Sequence, residues 1–438
     1  MGSYAECWLG KFYLGSTVEE DIDPSLLELF RSSDKKVIHT NKNNLPNPSA
    51  RWVEYIEDED NVTVVFYSAP AKIIKDRLEL VGYSLDNAKK AYLNYLKREI
   101  DRDESLFKEN KDIFKPIFNI ISSMDVEIWL STLKEIYNQG LTNNRYSQEN
   151  DDNSHLQYML KHDWYGFPAV FGYGFPGVDI NVPLRLMLEV TSEEEELIYD
   201  ITDLVLSEYF DPEENFLEYV ASYGKTIILT EGKFDTFVLS ESLNLLYPHL
   251  ADYFSFMDFD GSKVGGGAGN LATMVKSFSG AEIINKVVAI FDNDTAARAS
   301  LKALQKVKVS RNIKIYTLPD LKLLYHYPTL GPSGMVPMNV NGLAGSIELY
   351  LGRDVLQKAK SDFYPIQWMG FDSGLKQYQG EILEKDSVQK KFKQKLKFCK
   401  DDKSLISNFD WSGIKLILED IFKLFHEDDG HQIISHID

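Results

Sequence analysis

Cysteine is nearly absent from these 438 residues, with only Cys7 and Cys399 present. Two thiols so far apart build neither a disulfide framework nor a four-cysteine zinc ribbon. Long hydrophobic runs are also missing. No apolar stretch approaches the ~18 to 20 residues that span a bilayer, so no membrane contact is expected. The opening MGSYAECWLGKFYLGS has no basic stretch followed by a long apolar one, which is not the pattern of a signal peptide. Glu6 stands where a myristoylation signal carries Ser or Thr. A cytoplasmic chain is expected. The eight histidines show no metal-ligand spacing such as HxxxH. An excess of positive charge is lacking too: the net charge of −20 argues against one broad polyanion-binding surface.

The chain does have the apolar content of a globular protein, 44% hydrophobic with 13% aromatic, and length enough for two to four domains. Its acidity is uneven. From Ala221 to Lys322 there are twelve Lys and Arg against ten Asp and Glu, so the excess lies elsewhere. Much of it sits in EEDID, EYIEDED and TSEEEELIYD, which read as solvated loop or helix-start carboxylates.

Four segments follow from pattern. Residues 1–102 mix strand signals (CWLGKFYLG, NVTVVFYSA) with a helical stretch from about Pro70 to Arg102, an α+β module. Residues 103–222 read as mostly helical, interrupted by the polar loop NNRYSQENDDNSH and by GYGFPG. That last stretch matches GxGxxG but lacks the strand before and the helix after that a dinucleotide site requires, so a structural turn is expected. Residues 223–352 alternate strands with helices: TIILTEG, KFDTFVLSESLNLL, YFSFMDF, GNLATMVKSF, KVVAIFD, TAARASLKALQKV, IKIYTL. Such alternation implies βαβ crossovers and an α/β domain with a parallel sheet. Residues 353–438 read as helical and polar.

Open parallel sheets bind ligands at the carboxyl ends of their strands. Glu231 ends the first strand of the α/β segment and Asp235 follows one helical turn later. Asp292 and Asp294, in AIFDND, end the third. Side chains two residues apart on an extended chain point the same way, and ionised carboxylates so placed repel. A hard divalent cation, Mg²⁺ or Mn²⁺, relieves that repulsion through oxygen ligands. An Asp after a strand is also an ordinary N-cap, and Asp294 before TAARAS suits that role.

The pairing of EGxxD with DND about sixty residues later resembles the Toprim domain, whose pattern is a Glu after the first strand and a DxD after the third. The resemblance spans about 223 to 352. It implies a Rossmann-like fold and Mg²⁺-dependent breaking or making of a phosphodiester, with Glu231 as metal ligand or general base and Asp292 and Asp294 holding the ion. MGSYAECWLGKFYLG, FDNDTAA, YPTLGPSG and NGLAGSIELYLG together look like bacterial proteins with a HEPN/Toprim-associated N-terminal domain. That resemblance implies an anti-phage or stress effector. A primase zinc module, a topoisomerase's toroidal domain, an OLD-type ATPase and a HEPN ribonuclease motif are all missing from the chain. A stand-alone endonuclease acting on DNA or RNA is therefore expected, with a protein partner or a second copy as further associates. A non-catalytic nucleic-acid or partner-binding protein is the alternative.

Other residues carry two readings each. Gly265, Gly266 and Gly267 with Lys263 form either a phosphate cradle before a helix N-terminus or a flexible connector. Glu348 is either a further metal ligand, as a late acid is in OLD-type sites, or a first-turn complement to a helix dipole. Lys385, carried among the catalytic candidates, opens a run with Lys390, Lys391, Lys393, Lys395 and Lys397. That run either grips a nucleic-acid backbone or forms a solvated face whose core side is Phe392 and Leu396.

Overall fold

A computed structural model of the chain describes residues 4–18, 24–41, 44, 62–109, 118–141, 154–161, 173–177, 179–212, 224–262, 265–359 and 362–426. They fall into two compact units, Met1–Tyr223 with Phe425–Asp438, and Gly224–Leu424. Among the described residues no helix is long and apolar enough to cross a membrane.

The first unit is α+β. Strands β1 (Tyr4–Leu9), β2 (Phe12–Val18), β3 (Lys35–Thr40), β4 (Val62–Pro70) and β5 (Glu196–Asp200) form one sheet in the order β2-β1-β5-β4-β3. All its neighbours are antiparallel. The central strand corrects the sequence reading. It is the end of TSEEEELIYD, assigned above to solvated carboxylates, yet Leu197 and Tyr199 enter the core. Asp200 is buried and accepts the Thr202 N–H at 2.9 Å. Both neighbours of β5 lie far upstream, so nothing local marks it as a strand. EEDID and EYIEDED lie outside the described residues, as does the polar loop through Asn153.

The helices Ala71–Leu80, Leu85–Glu109 and Val126–Gln139 contribute to one core with this sheet. There the rings of Tyr92, Trp129 and Phe175 meet with centroids 5.7 to 6.0 Å apart. Tyr173 and Gly174 turn the chain with φ of 64° and 63°, and Trp129 Nε1 donates to Tyr173 O at 2.9 Å. The described part of GYGFPG is thus a structural turn; Gly172 lies outside the described residues. Buried Arg77 donates to Asp34 Oδ2 at 2.5 Å and to Leu29 O at 2.8 Å. Removing one partner of a buried pair costs about 3–5 kcal/mol. Arg77→Ala is expected to lose about that much in chemical denaturation; a change below about 1 kcal/mol would contradict the buried pair.

The second unit begins with β6 (Thr226–Thr230), β7 (Phe254–Phe256), β8 (Val287–Phe291), the short β9 (Asn293–Asp294) and β10 (Ile313–Thr317). Strands β10-β8-β6-β7 form a sheet in that order, and every pair is parallel. This is a mixed α/β architecture consistent with a Toprim-like fold. All five residues of β8 are buried, as an interior parallel strand covered on both faces requires. Leu229, Ala289 and Phe291 pack with Leu271, Val275 and Leu304 from the helices Ala268–Gly280 and Thr295–Leu304. The helix Lys233–Leu246 follows β6 directly. Expected and observed elements agree closely here, because a buried strand and an amphipathic helix are both written locally.

Next come β11 (Tyr327–Gly331), β12 (Gly334–Met338), β13 (Ala344–Gly345), β14 (Gln357–Ala359), β15 (Asp362–Phe363), β16 (Ile366–Asp372) and β17 (Gln377–Ile382). β13 pairs with β9, and β12-β11-β16-β17 make a second sheet. The segment after Arg353 is therefore not helical throughout. The helices Lys385–Asp401 and Ser412–Lys423 are there, preceded by the β16–β17 hairpin. Its strands alternate apolar and polar residues only weakly, and they are stabilised by pairing with β11, which lies far upstream.

A candidate acidic centre at the sheet edge

Thr230, fully buried, fixes the end of β6: its hydroxyl contacts Thr236 Oγ1 at 2.8 Å and Gly232 O at 3.0 Å. Glu231 leaves the strand there and accepts the Asp292 N–H at 3.0 Å. The ends of β6 and β8 are thereby joined. The glycine loop closes over the same point. Gly267, with φ of 98°, donates its N–H to Glu231 O, and a Cβ on Gly266 would sit 3.0 Å from that oxygen. The Ala268 N–H also bears on the Glu231 carboxylate. So in this structure the helix N-terminus behind the glycines faces a protein carboxylate, and a side chain at position 266 would be tight against the Glu231 carbonyl. Gly265 lies beside Asn270, and Lys263 is outside the described residues.

The DND stretch behaves as its period of two demands. Asn293 points away from the two acids, donating to Asp320 Oδ1 at 2.8 Å. Opposite it, a Cβ on Gly345 would meet Asn293 O at 2.6 Å, so glycine alone permits the β9–β13 pairing. Asp294 caps the helix Thr295–Leu304 through the Ala297 N–H at 2.7 Å, and its other oxygen accepts Gln379 Nε2 at 2.8 Å. The capping role is therefore real. By contrast, no protein donor among the described residues reaches the half-buried Asp292 carboxylate, and it lies within the fields of Asp235, Glu231, Asp294 and Glu348.

Glu348 arrives from the turn Ile347–Tyr350 and is only 1% exposed. Its Oε1 accepts Gln389 Nε2 at 2.8 Å and pairs with Lys385 Nζ at 3.3 Å, while Oε2 is buried without a hydrogen-bond partner. It is therefore more than a complement to a helix dipole. Five carboxylates and the Lys385 ammonium thus share one electrostatic neighbourhood.

Protonation follows from that crowding. Burial, and then the Asp294 charge, raise Glu231 to about 7 against the pull of the Asp292 and Ala268 amides. Burial also raises Asp235 to about 7, with Glu348 and Glu231 pushing the same way and Lys385 opposing them. Burial and all four acid neighbours push Asp292 well above the carboxylate range. For Lys385, burial works against the charge, but Glu348, Glu381 and Asp292 outweigh it and the ammonium is held more firmly than usual.

These side chains are not arranged as a ready-formed shell. Among the described residues no group of three His, Cys, Asp or Glu side chains stands poised as a metal site; Glu231 and Asp294 are turned to backbone and amide donors. The donor set nevertheless suits a hard divalent cation: oxygen ligands only, an undonated Asp292 carboxylate and an orphaned Glu348 Oε2. Such an ion would draw on Glu231, Asp235, Asp292, Asp294 and Glu348.

Sequence reasoning missed Gln379 and Gln389. Each reaches its acid from a distant element, and an isolated Gln carries no signal. The lysine run follows the solvated-face reading except at Lys395, which is buried, and several of its other members bond locally. Lys391 bonds to Gln357 O, Lys393 lies over the Phe237 ring, Lys400 pairs with Glu241, and buried Lys395 binds Leu351 O and Asp354. Phe392 and Leu396 are buried as the core side; Lys390 and Lys397 remain exposed. Both cysteines are buried, and burial raises each thiol above its ordinary range, so thiolate chemistry is disfavoured.

Replacing Lys385 with Met should destabilise the metal-free protein by about 1–3 kcal/mol, between the values for exposed and buried pairs. The loss should shrink at low pH, where the neighbouring acids are neutral. A pH-independent loss in paired melting curves would show that Lys385 contributes only packing.

No curated protein and no solved structure matches the chain. The family described as HEPN/Toprim N-terminal domain 1 matches residues 1–222, half of the chain. The match covers nearly all of the Met1–Tyr223 part of the α+β unit, and the acidic residues come later in the sequence. By that match the chain belongs to the HEPN/Toprim N-terminal domain 1 family.

Proposed function

We propose that the second unit is a Mg²⁺- or Mn²⁺-dependent endonuclease that hydrolyses nucleic-acid phosphodiester bonds. We place it in the cytoplasm, in bacterial defence against phage or stress. The observation that carries this reading is the meeting of Glu231, Asp235, Asp292, Asp294 and Glu348 at the carboxyl edge of a parallel sheet, where burial and the neighbouring acids favour the protonated forms of Glu231, Asp235 and Asp292. When bound, the divalent ion supplies charge neutralisation and an activated water for in-line displacement.

This chain's own residues do the rest. Glu231, poised about 7, can hold or release a proton at its carboxylate near neutral pH, as a general base must. Lys385, kept cationic by Glu348, can neutralise a phosphate oxygen. Gln379 and Gln389 fix the rotamers of Asp294 and Glu348. Gly266 and Gly267 bring the loop backbone close to the same edge. The N-terminal unit, whose family match lies away from these acids, is proposed to recognise or regulate.

One observation favours the alternative of a non-catalytic nucleic-acid or partner-binding protein: both Asp294 oxygens are committed to structural hydrogen bonds. The two readings separate in a cleavage assay with purified full-length protein on plasmid, single-stranded DNA and tRNA, with Mg²⁺, Mn²⁺ or chelator. Metal-dependent cleavage that drops to background in Glu231→Gln is expected. Absence of cleavage on every substrate, with nucleic acid still bound, would favour the alternative.

A further inference from the structure

The residue between Asp292 and Asp294 is held from outside the acidic centre. Asn293 is 4% exposed; its amide donates to Asp320 Oδ1 at 2.8 Å and also bears on the Tyr350 hydroxyl. Tyr350, fully buried, donates that hydroxyl to Pro319 O at 2.6 Å. Pro319 and Asp320 are neighbours on the segment that leaves β10, so Asn293 and Tyr350 hang on one short stretch of backbone. That stretch is itself pinned. Leu318 donates its N–H at 2.9 Å to the carbonyl of Phe291, the last residue of β8. The Asn341 side chain accepts the Leu321 N–H at 3.0 Å and donates to the Leu321 carbonyl at 3.2 Å. Tyr325 adds its hydroxyl to the other Asp320 oxygen at 3.3 Å.

None of these groups belongs to the five acids, yet each end of the network carries acids. On an extended chain, fixing the Asn293 side chain fixes the pleat, and with it the direction of Asp292 and Asp294 on the other face. Tyr350 closes the turn Ile347–Tyr350, two residues after Glu348. Residues 319 and 320 therefore tie the end of the DND strand to the turn that presents Glu348. The acids at these two anchors repel each other, and an untethered carboxylate on a turn relieves such repulsion by moving off. Asp320 itself is exposed. The acids that press most on Asp292 are Asp235, Glu231, Asp294 and Glu348, so the part left to Asp320 is to accept a hydrogen bond. Outer partners of this kind orient ligands without touching the ion.

We infer that Asn293, Asp320 and Tyr350 are positioning residues, a strap of hydrogen bonds that sets the spacing between Asp292 and Glu348 so that one cation can reach both. The strap rests on the metal-site reading proposed above, and its test separates the two. Mn²⁺ binding to the full-length protein is followed by electron paramagnetic resonance of the free ion. Hydrogen exchange of peptides spanning 290–296 and 346–351 is measured in chelator. Asp320→Ala and Tyr350→Phe should each weaken Mn²⁺ binding about 10- to 100-fold, the usual cost of losing an outer hydrogen-bond partner. Asp320→Asn keeps an oxygen for the Asn293 amide and should retain wild-type affinity, which a charge or ligand role for Asp320 would not allow. Tyr350→Phe should speed exchange in both peptides at once, with the circular dichroism of the wild type. Asp320→Ala, at an exposed position, covers the case in which Tyr350→Phe misfolds. Wild-type affinity in both Asp320→Ala and Tyr350→Phe, or an Asp320→Asn as weak as Asp320→Ala, overturns the strap. A wild type that takes up no Mn²⁺ overturns the metal site instead. The exchange measurement then decides the strap, and faster exchange confined to 346–351 in Tyr350→Phe refutes it.

Discussion

Asp292→Asn is expected to abolish metal-dependent cleavage and metal-induced stabilisation while leaving the metal-free protein as stable as the wild type or more so. The physical reason is the company Asp292 keeps. It receives no hydrogen bond from a described side chain or amide and faces four other carboxylates, so removing its charge relieves repulsion without breaking a structural contact. Asp294 provides the contrast. Its carboxylate caps a helix, and Asp294→Ala should lose about 0.5–2 kcal/mol whatever the metal does. An ion that binds only the folded state at a hundredfold excess over its Kd adds about 2.7 kcal/mol, and Asp292→Asn should forfeit that gain. The measurement is a pair of melting curves with and without Mn²⁺, beside plasmid cleavage. If Asp292→Asn shows metal stabilisation and cleavage equal to the wild type, the acidic centre is not a metal site.

Metal-free stability should fall as pH rises through neutrality, by several kcal/mol in total. Glu231 and Asp235 are raised to about 7 in the folded protein, from ordinary values of 4.5 and 3.8, and Asp292 is raised as well. Below about pH 4 both folded and unfolded chains hold these protons, and the contribution of protonation is fully present. Between about 4 and 7 the unfolded chain has released them and the folded chain has not, so folding takes up protons and stability declines with pH. Above about 7 the contribution is gone and the ionised acids repel. A tenfold difference in proton affinity between folded and unfolded chains is worth ~1.4 kcal/mol, although acids this close release their protons jointly and their contributions do not add independently. Added Mn²⁺ should flatten the decline, since an ion binds the deprotonated acids. Urea titrations at pH 5 and pH 8 check this; equal stability at both, without metal, would show the acids to be too solvated to interact.

The placement of the acids and the parallel sheet were legible in the sequence because their causes are local. A five-residue apolar run such as VVAIF has to be buried on both faces, and a strand that ends at Glu231 or Asp292 sets that acid at the sheet edge by chain geometry alone. The period of two likewise turned Asp292 and Asp294 one way and Asn293 the other. What stayed illegible depends on partners far off in the chain. β5 looked like an acidic loop because β1 and β4, which make it a strand, lie more than a hundred residues upstream. The β16–β17 hairpin pairs locally, yet the register shift between Trp368 and Gly370 breaks the alternation that would have marked it. Gln379 and Gln389 reach acids 85 and 41 residues away, and the lysines of Lys385–Asp401 divide among ion pairs, carbonyls and ring faces that only packing brings near. Chain order and local pattern were enough to say which acids end which strands. Which oxygens are occupied, which are left bare and how strongly each is pressed to hold a proton came from packing alone, because hydrogen bonds and desolvation depend on distances in space that spacing along the chain does not set.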